Sequence, residues 1–135
     1  VAKSQPKAAA SSVAAKTKAA DSRCDEGQEF TPFSIAVARS AVVDLDIQVC
    51  RTLGRVRVWL DEVLQLDETG ADGVGYRVPP VGPGPHLLFW SIQPADTDWR
   101  TRDELRVDGV VRFRRKKASD GNNPVNAGFI FLEVQ

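Results

Sequence analysis

The sequence predicts an all-β protein, an antiparallel β-sandwich of about seven to eight strands. Three observations predict it. After Phe30, apolar residues recur with period two, turn signals of Gly, Pro, Asn and Asp divide the chain at roughly ten-residue spacing, and no sustained helical pattern intervenes. The 135 residues fit one domain, and a domain of this size buries roughly two-thirds of the surface of its unfolded chain.

The opening VAKSQPKAAASSVAAKTKAADSR holds only Val1 and Val13 as larger aliphatics, so it cannot build a core. Alanine favours helix, but an isolated helix this short is marginal in water. Residues 1–28 therefore read as a flexible Ala/Lys-rich tether, disordered unless a partner orders it, and 29–135 as the sandwich. No methionine occurs, not even at position 1, as expected of a processed product or an excerpt from a longer chain.

In AVVDLDIQVC, Val43, Leu45, Ile47 and Val49 alternate with Asp44, Asp46 and Gln48, the pattern of a half-buried strand. In GRVRVWLDEVLQLD, Val56, Val58 and Leu60 alternate with Arg55, Arg57 and Trp59. Asp61 and Glu62 then turn the chain toward a strand with Leu64 and Leu66, and ETGADGVG reads as a loop. Tyr76 to Val78 is a short extended piece before PPVGPGP, too rich in proline and glycine to continue a ladder.

HLLFWSI is apolar at both parities, with Leu88, Trp90 and Ile92 on one side and Leu87 and Phe89 on the other. Such a strand is expected at the centre of a sheet, covered on both sides. The best helix candidate is a turn or two in DTDWRTRDEL. Val107, Val111 and Phe113 share a parity in LRVDGVVRFRRKK; ASDGNNP is a loop; and Ile130, Leu132 and Val134 alternate in a last strand, GFIFLEVQ.

The run from VRVWLDEVLQLD through GPGPHLLFWSI to GFIFLEV resembles the strand and turn rhythm of immunoglobulin-like or fibronectin-type-III-like domains of bacterial surface and secreted proteins, over about residues 30–135. The resemblance implies an accessory or recognition module and carries no site residues with it.

Charge and motifs narrow the function. Formal net charge is zero, but the first twenty residues hold four lysines and no acid, leaving 14 basic groups against 18 acids and a mildly acidic body. Four lysines over twenty residues is a weak charge density for nucleic acid, and no RNA-binding or helix-turn-helix signature occurs, so specific nucleic-acid recognition is not expected. No apolar run approaches the roughly 20 residues of a membrane-spanning helix. Phosphate loops, His-Glu-x-x-His and Cys-x-x-Cys are all missing, so no cofactor is expected. His86 is the only histidine and heads an apolar strand, where a hydrogen-bonded structural role outweighs catalysis.

Four features remain as candidate sites. Trp59, on the polar side of its strand with Arg55 and Arg57, offers an apolar platform for a protein partner or a sugar ring; Trp99, beside Asp96 and Asp98, offers another. Arg112, Arg114, Arg115, Lys116 and Lys117 form a basic run that reads as a solvated strand end or as a patch for an anionic partner. Asp67, Asp72, Asp96, Asp98, Asp103, Glu104 and the DGNN loop supply oxygens a calcium ion could use, though loop acids in β proteins are commonly solvated turn formers. Cys24 and Cys50 allow one disulfide, worth about 3 kcal/mol on the entropic account and fitting an oxidising compartment, or two unpaired thiols.

The expected function is a non-catalytic module for protein interaction or self-assembly in a surface or secreted structure outside the cytoplasm. Carbohydrate binding through an exposed tryptophan is the alternative, and a hydrolytic enzyme is a distant third.

Overall fold

The computed structural model describes residues 22–121 and 125–135. Over these, a 3-10 turn (Arg23–Asp25) precedes nine strands: β1 (Ser34–Val37), β2 (Val43–Cys50), β3 (Gly54–Leu60), β4 (Val63–Ala71), β5 (Gly73–Arg77), β6 (Gly84–Pro94), β7 (Arg100–Val107), β8 (Val110–Ala118) and β9 (Asn126–Val134). They form a five-stranded sheet, β1-β9-β6-β3-β4, and a four-stranded sheet, β5-β2-β7-β8. Every pairing is antiparallel except β1 with β9. The protein is an all-β sandwich.

The core comes from the period-two residues. Val43, Leu45, Ile47 and Val49 of β2 face Val56, Val58, Leu60, Leu88, Trp90, Ile92, Ile130 and Leu132 of the opposite sheet, and all are buried. Trp90 is the largest of them, with no exposed surface. It stands edge-on to Phe113 with ring centroids 5.5 Å apart. Its indole also fills the place a side chain would take at Gly128, where a Cβ would lie 2.7 Å from the ring. Glycine is required there by close approach.

Four expectations need correction. ETGADGVG is not a loop: β4 continues to Ala71 and β5 starts at Gly73, which raises the strand count to nine. DTDWRTRDEL forms no helix; bends lead directly into β7, hydrogen-bonded between β2 and β8. Residues 22–28 belong to the body rather than to a tether, because Cys24 is buried and bonded to Cys50. Last, β6 is central but covered by a second layer on one side only, since Leu87 and Phe89 are half-buried among neighbouring side chains of their own sheet.

The tether expectation for residues 1–21 lies outside the described residues, as do positions 122–124 of the ASDGNNP loop. From the disulfide, the chain crosses the outside of the four-stranded sheet as a strap. Arg114 donates to the Gln28 carbonyl, and Phe30 and Arg114 exchange backbone hydrogen bonds at the free edge of β8. Beyond Phe33 the chain joins the other sheet as β1. The strap thus shields one edge and supplies another.

Candidate functional site

Trp59 points outward from β3, as its parity requires, but its ring is half-buried against Phe89 of β6, 5.3 Å away. Register explains the contact. Leu64, Trp59, Phe89 and Phe129 lie directly opposite one another on β4, β3, β6 and β9, so one outward row crosses four strands. Phe33 extends it, 5.7 Å from Phe129 and 5.1 Å from Phe131. Phe33 is 66% exposed, Leu64 48% and Phe129 44%. Cross-strand aromatic pairs stabilise a sheet, but the outer edges of this row remain open to solvent.

Beside the row, Arg55 holds Asp67 with two hydrogen bonds of 2.9 and 2.8 Å, and Arg57 approaches the same carboxylate at 3.7 Å. The Arg55 hydrogen bonds keep the Asp67 carboxyl below its ordinary value. The face therefore presents an apolar band flanked by polar groups that are already paired. Of the expected residues, Trp59, Arg55 and Arg57 come together here. Phe33, Phe89, Phe129 and Leu64 join them, although no linear pattern marks residues brought together by register.

Trp99 is no platform. It is only 4% exposed, and its N–H and C=O bind the hydroxyl and N–H of Ser119, which hold it against the end of β8. Asp96 and Asp98 stay exposed in the preceding bend, where Asp98 pairs with Arg51 at 3.3 Å. The two acids and Trp99 make no common binding surface.

Two of the five residues of the basic run are engaged by internal acids. Arg114 binds Glu104 at 2.6 Å, on the outer side of the four-stranded sheet under the strap. Glu104 is 1% exposed. Burial works against its charge, yet hydrogen bonds from Arg114 and Arg106 hold its carboxyl below the ordinary value. Arg115 turns inward, pairing with Asp103 and donating to Asn126 at 2.6 Å. Arg112 is the extra residue where the β7–β8 register shifts. The Lys116 ammonium donates to the Asp25 carbonyl, and Lys117 is exposed. The run is thus neither a solvated strand end nor one continuous patch.

Asp103 faces the core and has no exposed surface. It accepts a 2.8 Å hydrogen bond from Trp90 Nε1. Burial pushes its carboxyl up, against the opposing pull of Arg115 and the indole N–H. The acids weighed against a calcium site do not converge: Asp67 and Glu104 are held by arginines, Asp103 is internal, and among the described residues no three His, Cys, Asp or Glu side chains form a metal-binding group.

His86 is a structural clasp. Its Nδ1 lies 2.6 Å from Asp61 Oδ2 and its Nε2 2.7 Å from the Gly82 carbonyl, so both ring nitrogens meet acceptors and the imidazolium satisfies both. The clasp also steadies the β3–β4 turn, where Asp61 and Glu62 both have positive φ, 50° and 70°.

The Asp61 hydrogen bond, followed by that to Gly82, raises the His86 pKa above 6.5. Stability from this clasp is complete below pH 6.5 on the histidine side and is lost as pH rises through the raised value. For Asp61, burial opposes ionisation but the hydrogen bonds of His86 and Leu87 prevail, so its contribution is lost as pH falls through a value below 3.8. His86→Gln should accordingly flatten the decline of stability as pH rises above 6.5. Urea midpoints of both proteins across that range check it, and an unchanged decline would assign the pH dependence elsewhere.

Comparison with family models, curated proteins and solved structures finds no match to this chain.

Proposed function

We propose that the protein is a non-catalytic interaction module that docks a partner protein on the outer face of its five-stranded sheet. The aromatic row from Trp59 through Phe89 and Phe129 to Phe33 carries this reading. Five strands about 4.8 Å apart and averaging about eight residues span a face of roughly 630 Å², somewhat below the ~800 Å² that each partner contributes to a standard interface. Aromatic anchors inside a polar rim suit such a contact. The Cys24–Cys50 disulfide fits an extracytoplasmic setting.

Carbohydrate binding on the same rings is the second reading, favoured by the half-exposed Trp59 indole beside Arg55, Arg57 and Asp67. Phe129→Glu places a charge in the row at a position 44% exposed, so it should change stability little. It should abolish capture of a partner that wild type and an Arg77→Ala control on the opposite sheet both retain. Sedimentation of the pure chain tests whether that partner is a second copy. A Trp59 fluorescence response to small saccharides would favour the sugar reading. Capture unaffected by Phe129→Glu would sink the proposal.

A further inference from the structure

We infer that the protein pairs with a second copy of itself, face to face through the outer side of the five-stranded sheet, about a two-fold axis. This deepens the docking proposal and rests on it. The charged strand residues on that side are Arg55 and Arg57 of β3, Asp67 of β4 and Glu133 of β9, each at an outward parity. Arg55 holds Asp67 with two hydrogen bonds, which leaves Arg57, 3.7 Å from the same carboxylate, as the excess cation. Glu133 makes no ion pair among the described residues. Counting these strand residues, the face is positive by one charge at the Arg57 end and negative by one at the Glu133 end.

The two ends are related through the middle of the apolar band. Arg57 lies opposite Ser91, and Ser91 opposite Ala127, six residues along β9 from Glu133. The two charges are therefore about 10 Å apart across the strands and about 20 Å apart along them. The midpoint of the line joining them falls on β6 at Leu88, between the outward Phe89 and Leu87. A two-fold axis lying in the face, through this midpoint and at right angles to the line, sets each copy's Arg57 over the other's Glu133. It also lays one aromatic band against the other. A two-fold contact requires a patch complementary to itself, and an apolar centre with opposite charges equally far on either side meets that requirement. Two faces of roughly 630 Å² would bury about 1,260 Å² at full overlap, above the ~1,000 Å² expected of a specific interface. The charges fix the register of such a contact, and the aromatic band supplies its anchors.

Sedimentation of the pure chain from about 5 to about 500 μM should show a monomer–dimer equilibrium, and Phe129→Glu should leave a monomer. Arg57→Glu and Glu133→Lys should each weaken the dimer roughly tenfold or more, because each sets two like-charged pairs across the axis. An equimolar mixture of these two variants should regain the dimer, since the glutamates of one chain then meet the arginine and lysine of the other. That recovery also shows that both variants fold. A wild-type chain still monomeric at about 500 μM, a dimer that keeps its strength in both charge variants, or a mixture no stronger than its components would overturn the inference. The docking reading is judged apart from it. A monomeric wild type whose capture of an unlike protein is still abolished by Phe129→Glu overturns only the second copy, whereas a dimer indifferent to Phe129→Glu overturns both.

Discussion

Trp90→Ala is expected to cost about 3–5 kcal/mol, the range for removing a large buried aromatic side chain. Three contacts end together: the edge-on packing with Phe113, the fit over Gly128, and the hydrogen bond to Asp103. A cavity opens in the centre of the core, and a buried carboxylate loses a donor. Trp59→Ala should cost distinctly less, because that ring keeps part of its surface in water and touches one aromatic neighbour. Urea denaturation of both variants decides it. Equal losses would mean that the outer row supports the fold as strongly as the core does.

Arg115→Ala is expected to be as damaging, about 3–5 kcal/mol, because it strands Asp103 as an unpaired buried charge. The pH dependence should change as well. Without the arginine, the opposing pull on Asp103 weakens and burial raises its carboxyl further above 3.8, so the folded state takes up a proton before the unfolded state does. Stability of the variant should therefore rise as pH falls from neutral toward 3.8, the sign required when the folded value exceeds the unfolded one. Replacing both partners, with Asp103→Leu and Arg115→Met, should recover much of the loss. Denaturant midpoints at pH 7 and pH 5 test all three statements. An Arg115→Ala variant of wild-type stability with no acid-side gain would show that Asp103 does not depend on this partner.

Strands whose inward positions are all apolar were legible in the sequence. The alternations of Val43 to Val49, Val56 to Leu60 and Ile130 to Val134 place their inward residues in the core as expected. β7 was not legible, and the reason is physical. Its inward residues are Thr101, Asp103, Leu105 and Val107, so half of that side is polar and no apolar alternation reaches a linear reading. The helix expected around DTDWRTRDEL arose from that gap. Burial of Thr101 and Asp103 becomes affordable only where Asn126, Arg115 and Trp90 supply their partners, and all three come from other strands.

The sequence by itself determined the all-β class, the parity of Trp59 and Trp90, the central place of β6, and the availability of one disulfide. These follow from period-two patterning, strand-length apolar runs and residue counts, all of which are local. Tertiary structure alone decided the fate of Trp99, the pairing of the basic run with buried acids, and the aromatic row. Such features depend on which strands become neighbours and in what register. Trp59, Phe89 and Phe129 are thirty and forty residues apart along the chain, and hydrogen bonding between β3, β6 and β9 sets them side by side. The stretch 126–129 of β9, which β1 does not reach among the described residues, has the same origin, because the backbone groups left without a strand partner are known only after the other strands have taken their places.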